Sequence, residues 1–88
     1  MAWTVVLAKD AVKELDKLPA DRRDLLLKHL GEMRDDPFRS DVKPLKGKEW
    51  KGRYRKRIGP YRLIFVPRHA ERVVEISAIL TRSERTYK

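Results

Sequence analysis

Cysteine is absent from the 88-residue chain, which removes disulfide frameworks and thiolate metal sites from consideration. Histidine occurs twice, at His29 and His69, too sparse and too isolated to suggest a zinc site. No metal and no small-molecule cofactor is therefore expected. Long apolar runs are missing too, since none approaches the roughly 20 residues that span a bilayer. The N-terminus lacks the charged segment, apolar stretch and cleavage site of a signal peptide. These absences lead to the expectation of a soluble cytoplasmic protein without a membrane partner. Internal repeats and low-complexity segments are also lacking. A chain this short has room for one core, so a single domain over residues 1–88 is expected.

What is present is charge, unevenly placed. Residues 1–42 carry 8 Lys/Arg and 9 Asp/Glu, whereas residues 43–88 carry 14 Lys/Arg and only 4 Asp/Glu. The whole net charge of +9 thus belongs to the second half. Such asymmetry fits an anionic partner docking on one part of the fold. A merely solvated, soluble surface is the alternative reading of charge alone.

The pattern along the chain predicts an α+β fold in the order β-α-α-β-β-β. Trp3 to Ala8 is a short β-branched run suited to a strand. Ala8, Ala11, Val12, Leu15 and Leu18 then recur at helical spacing with charged residues between them. Asp10 stands near the start of this helix, where a carboxylate is favoured, and Pro19 ends it. A second helix is expected from about Ala20 to Arg34, with Leu26, Leu30 and Met33 as its apolar stripe and Leu25, Leu27 and His29 flanking it. His29 reads as a packing or surface histidine. Asp35-Asp36-Pro37 stops the helix, and residues 37 to about 51 read as a connecting loop. Three strands follow at Arg53–Ile58, Tyr61–Val66 and Arg72–Leu80, with His69 exposed in the last turn. Two helices should pack on a mainly antiparallel sheet.

Gly59-Pro60 permits a sharper deduction. Glycine can supply the positive φ that opens a type II′ turn, and proline's fixed φ suits the second position. A two-residue loop places Ile58 opposite Tyr61, Arg57 opposite Arg62 and Arg55 opposite Ile64. Strand alternation then puts Tyr54, Lys56, Ile58, Tyr61, Leu63 and Phe65 on one face, with Lys56 snorkelling at an edge. The other face carries Arg53, Arg55, Arg57 and Arg62. Four guanidinium groups on one face repel one another unless anions intervene. Glu49, Glu71, Glu75 and Glu84 are the only carboxylates in the second half. Pairing with acids from elsewhere is the bland solution; phosphate binding, for which the planar arginine fork is suited, is the functional one.

The ending Thr81-Arg82-Ser83-Glu84-Arg85-Thr86-Tyr87-Lys88 adds cations and an aromatic ring. Together these residue types can stack an unpaired base while holding its backbone. No helix shows the basic face of a major-groove reader, so single-stranded RNA fits better than duplex DNA. Cleaving RNA requires a group to accept the 2′-hydroxyl proton and another to protonate the leaving oxygen. Arginine is a poor base, so the residues themselves argue for phosphate binding more than for catalysis.

Across nearly its whole length the chain resembles the RelE/ParE superfamily of toxins. Val6-Leu7-Ala8-Lys9-Asp10-Ala11-Val12-Lys13-Glu14-Leu15-Asp16-Lys17-Leu18-Pro19 is similar to the family's first strand and helix. Pro44-Leu45-Lys46-Gly47 resembles its Leu-Lys-Gly loop. Gly52-Arg53-Tyr54-Arg55-Lys56-Arg57-Ile58-Gly59-Pro60-Tyr61-Arg62-Leu63-Ile64-Phe65 is the strongest match, and Arg85-Thr86-Tyr87-Lys88 looks like an archaeal-type RelE terminus. The resemblance implies a microbial-ribonuclease-like fold and an endonuclease that cuts mRNA in the A site of the 70S ribosome. It also implies a cognate antitoxin, expected to offer an acidic, partly disordered segment. By position, the implied catalytic residues are Arg55, Arg57, Arg62, Tyr87 and either Arg82 or Arg85. Lys46, Lys48, Arg53 and Lys88 would contact RNA phosphates. Where efficient relatives often carry hairpin lysines this chain has Arg55 and Arg57, so the implied mechanism is mainly electrostatic. A ParE-like toxin acting on DNA gyrase, or a non-catalytic RNA- or ribosome-binding module, are the alternatives.

Overall fold

The computed structural model describes residues 3–81. Strand β1 (Thr4–Leu7) leads into helix α1 (Lys9–Lys17), and helix α2 (Ala20–Met33) follows after a two-residue break. Ala11 and Leu15 on α1 are buried, as are Leu26, Leu30 and Met33 on α2. Leu25 and Leu27 are exposed. Asp10 in the first turn of α1 and Lys17 in its last complement the helix dipole. Pro19, in extended conformation, caps the start of α2 rather than lying inside it.

Four more strands complete the sheet: β2 (Val42–Pro44), β3 (Tyr54–Ile58), β4 (Tyr61–Arg68) and β5 (Val73–Thr81). Their spatial order is β1-β5-β4-β3-β2, antiparallel except for the parallel pair β1–β5. The two helices lie on one side of this sheet, giving the expected α+β architecture. The β3–β4 register is the one the turn dictates, with Ile58 opposite Tyr61, Arg57 opposite Arg62 and Arg55 opposite Ile64. Gly59 has φ +55°, as the first position of a type II′ turn requires.

The core lies between the helices and the inner sheet face. Ile58, Tyr61, Leu63, Phe65, Val74, Ile76 and Ile79 meet Trp3, Ala11, Leu15, Leu26, Leu30 and Met33 there. A β-bulge keeps this set in phase: Ile64 pairs with Ala78 but Phe65 pairs with Ile76, leaving Ser77 as the extra residue. Without that insertion, strict alternation would turn either Ile76 or Ile79 away from the core. At the hairpin end, Arg22 of α2 donates from Nη1 to the Tyr61 hydroxyl at 3.2 Å, tying the helix layer to the start of β4.

Two expectations need correction. Residues 37 to 51 are not a plain loop, because β2 pairs with β3 and Lys48–Trp50 forms a 3₁₀ turn. The order is therefore β-α-α-β-β-β-β. A three-residue strand is too short to display a period of two, and Pro44 within it argues locally against a strand. This extra strand also makes β3 an internal strand, so Lys56 does not snorkel at an edge. It is 1% exposed, and its ammonium donates to the Arg39 carbonyl oxygen at 2.8 Å.

Burial pushes the Lys56 ammonium below its ordinary value of 10.5, with Glu32, Asp36 and Asp41 partly opposing the shift. A folded-state value below the unfolded one means that the charged form costs stability until the proton leaves. The stability difference between wild type and Lys56→Met should therefore move in favour of wild type as pH rises towards 10.5. Denaturant titrations at several pH values will read this, and a pH-independent difference would refute it. A Cβ added at Gly59 meets open space, so Gly59→Ala should cost only the left-handed backbone penalty, about 1–2 kcal/mol, measurable by thermal unfolding.

Candidate nucleic-acid interface

The sheet face turned away from the helices is built by alternation. Arg55 and Arg57 project from β3, Arg62 from β4, and Lys43 from β2 opposite Arg55. On β5, Ala78 lies opposite Ile64 and Leu80 opposite Arg62. Ile64 is 1% exposed although it faces away from the helices, so the cations surround an apolar floor. Arg55 and Arg62 are half-buried and Arg57 and Lys43 are exposed.

The expected repulsion is relieved by a residue the sequence did not single out. Asp41, just before β2, places Oδ1 3.3 Å from Arg55 Nη1 and Oδ2 3.6 Å from Arg57 Nε. Its side chain is 42% exposed, as against 12% for Arg55. Part of the charge balance is thus supplied from the acidic half of the chain, by one carboxylate shared between Arg55 and Arg57. Ion pairs this open to water are worth only about 0–1 kcal/mol. Counting the described residues, Lys43, Arg55, Arg57 and Arg62 outnumber the carboxylate at Asp41.

Asp41 is held in place through its backbone. Its carbonyl oxygen accepts a hydrogen bond from Arg57 N at 3.0 Å, and Val42 N donates to the Ser40 carbonyl oxygen at 3.0 Å. Ser40 adopts φ +73°, a left-handed conformation that a non-glycine residue keeps only when its surroundings enforce it. Upstream, Lys56 holds the Arg39 carbonyl oxygen. Phe38 packs edge-on against Tyr54 with ring centroids 5.3 Å apart and stacks on His69 at 5.9 Å. Phe38 N donates to Asp36 Oδ1 at 3.0 Å. The segment from Asp36 to Val42 is therefore pinned at successive points.

The other expected residues fall elsewhere. Arg53 is half-buried just before β3, and its carbonyl oxygen accepts from Leu45 N at 3.0 Å. Lys46 and Lys48, with Lys51, are exposed in the β2–β3 connection. That connection joins β3 at Tyr54, the opposite end from the Gly59 turn, so these lysines do not join the arginine cluster. Arg82, Arg85, Tyr87 and Lys88 lie outside the described residues. Neither histidine is on the arginine face. His29 sits on α2 with Nδ1 3.5 Å from Glu32 Oε1, and His69 is exposed against Phe38 and Trp3.

A cleft of about 250 Å³, lined by none of these arginines, lies between α1 and the last part of β5. It exists because β1 pairs with β5 only as far as Ile76, leaving the edge beyond that point beside Asp10, Lys13, Glu14 and Lys17. Chemically, the arginine face can grip phosphate oxygens through paired N–H donors and can stabilise negative charge. Guanidinium groups do not give up protons, so this face offers charge and orientation before it offers proton transfer.

Sequence and structure comparisons show what the chain is similar to. Residues 5–86 match the family model described as ParE toxin of the type II toxin–antitoxin system parDE. No curated sequence relative is found, so the likeness rests on this model and on solved structures. A chain of the archaeal RelE–RelB complex from Pyrococcus horikoshii is similar at 26% identity and TM-score 0.81, over 97% of this chain and 100% of that one. A chain of the toxin–antitoxin complex RelBE2 from Mycobacterium tuberculosis is similar at 28% identity and TM-score 0.83, over 93% and 100%. The YoeB/ParE toxin from Agrobacterium tumefaciens shares the fold at 15% identity and TM-score 0.75, over 89% and 96%. With a family model matched over residues 5–86 and a shared fold, the chain belongs to the ParE toxin family of type II toxin–antitoxin systems, within the RelE/ParE superfamily.

Proposed function

We propose that this toxin is a ribosome-dependent mRNA endonuclease that cuts in the ribosomal A site and so arrests translation. The observation that carries the reading is the gathering of Arg55, Arg57 and Arg62 on one outward face by a register that the Gly59 turn fixes. The RNA 2′-oxygen attacks the adjacent phosphorus, the 5′-oxygen leaves, and a cyclic phosphate and a free 5′-hydroxyl result. The attacking hydroxyl loses one proton and the leaving oxygen gains one. The three arginines orient the backbone and stabilise the added charge on the phosphoryl oxygens. Tyr87 stacks a base, and Arg82 or Arg85 completes the cationic shell. Lys46, Lys48, Arg53 and Lys88 hold flanking phosphates. The ribosome contributes by presenting a single strand already positioned for in-line attack.

The partner outside the ribosome is a cognate antitoxin. Support comes from the related toxins of P. horikoshii and M. tuberculosis, both solved as toxin–antitoxin complexes. Charge complementarity assigns it an acidic, partly apolar segment that covers the arginine face and orders on binding. The reaction proceeds in the cytoplasm, where ribosomes translate. A second reading, inhibition of DNA gyrase, is favoured by one finding, that the matching family model bears the ParE name.

Primer extension on mRNA in a reconstituted translation system separates the readings. Cleavage at A-site positions only when ribosomes are present is the expected result. Intact mRNA together with blocked gyrase supercoiling would transfer the toxin to the second reading. Arg62→Ala should lower ribosome-dependent cleavage by about 10²- to 10³-fold, the scale of losing one donor to a developing oxyanion. Its unfolding midpoint should stay close to wild type, and undiminished cleavage would remove Arg62 from the site.

A further inference from the structure

Asp41 is the one acidic side chain, among the described residues, that reaches both Arg55 and Arg57. Its two oxygens engage Arg55 Nη1 and Arg57 Nε as two oxygens of a phosphodiester would. We propose that Asp41 is a built-in competitor for the RNA phosphate, a carboxylate that occupies the Arg55–Arg57 seat in the free toxin and must give way when RNA binds. This rests on the reading of the face as a phosphate-binding surface, and adds to it a residue that sets the threshold for binding.

Three features of the geometry carry the proposal. The carboxylate is only loosely seated, since 3.3 and 3.6 Å are long for charge-assisted bonds. The exposures are also unequal: Asp41 is 42% exposed and Arg55 only 12%. Asp41 can thus swing into water with little further change in solvation, while Arg55 stays where the sheet places it. Finally, backbone and side chain are decoupled. The Arg57 N to Asp41 O bond and the Lys56 bond to Arg39 O hold the segment whether or not the carboxylate keeps its arginines.

The consequence is a binding threshold, the same for every anion, that ligands with further contacts clear and isolated anions do not. An isolated phosphate gains one seat and must displace one carboxylate, an exchange of nearly equal contacts. A strand whose neighbouring phosphate reaches the exposed Lys43 gains that contact in addition. Asp41 thereby lowers binding to short or poorly presented RNA and leaves a strand already held by its surroundings as the favoured ligand.

The test is fluorescence anisotropy with a short labelled single-stranded RNA across a salt series, using the full chain. The variants are Asp41→Asn and Asp41→Ala, with Glu49→Gln as a charge-matched control in the β2–β3 connection. Both Asp41 variants should bind roughly threefold to tenfold more tightly than wild type, with a salt slope steeper by about 0.7, the value of one further single-strand phosphate contact. Glu49→Gln should tighten binding less and leave the slope near wild type. Equal gains from Asp41→Asn and Glu49→Gln would reduce the effect to net charge and overturn the proposal. Weaker binding by both Asp41 variants, with unfolding midpoints unchanged, would also overturn it and make Asp41 a support for the arginines. Wild-type toxin that binds no RNA at any salt would sink the phosphate-binding face itself, whereas wild-type binding with unaltered Asp41 variants would sink only the competitor.

Discussion

A two-residue turn leaves the strands it joins no freedom of register, and the arginine face depends on that constraint. Gly59 supplies the left-handed backbone, Pro60 fixes the next φ, and Arg57 must then lie opposite Arg62. One residue of slip in β3 against β4 would send Arg55 and Arg57 into the helix-packed side and turn Lys56 and Ile58 out of it. The burial of the apolar residues and the gathering of the cations are therefore one event seen from two sides of the sheet. The core stabilises a charge arrangement that would not hold together unaided.

The segment between α2 and β2 meets the cost of that arrangement locally. Its residues are fixed by unlike means: ring packing at Phe38, a buried ammonium on the Arg39 carbonyl, a left-handed Ser40 and a ladder-like bond at Asp41. Each is a modest interaction, and the ammonium carries a desolvation cost of its own. Together they deliver one carboxylate to the edge of the arginine cluster without burying it. A buried Asp41 would form a stronger pair and close the face to other anions; a more distant one would leave the guanidinium groups uncompensated. The observed intermediate suits a surface that is stable when empty and available when a partner arrives.

The hairpin was legible in the sequence because its determinants are local. Gly59 and Pro60 name the turn, and alternation from there assigns each side chain to a face. The two helices were legible through Leu15, Leu26, Leu30 and Met33 at helical spacing, bounded by Pro19 and Pro37. What the sequence concealed depends on distant partners. β2 exists because β3 is there to pair with it, and Val42-Lys43-Pro44 has no pattern of its own. Lys56 was placed at an edge because the strand that encloses it was not foreseen. Asp41 belongs to the acidic half by position and to the basic face by contact, so counting charge along the chain assigned it to the wrong side. The bulge at Ser77 is silent for the same reason, since only the pairing of Ile64 with Ala78 and Phe65 with Ile76 reveals it.

Charge that is divided along the sequence is also divided in space. The segment from β1 through α2 carries nearly balanced charge, while the sheet beyond it carries the cationic excess. Separating charge across a body of about 34 × 30 × 24 Å gives the protein a large electric dipole. In the field of a polyanion the torque on that dipole acts before contact, within a few screening lengths of the surface. The molecule therefore arrives sheet-first, and the orientational search that slows most macromolecular encounters is partly completed during approach.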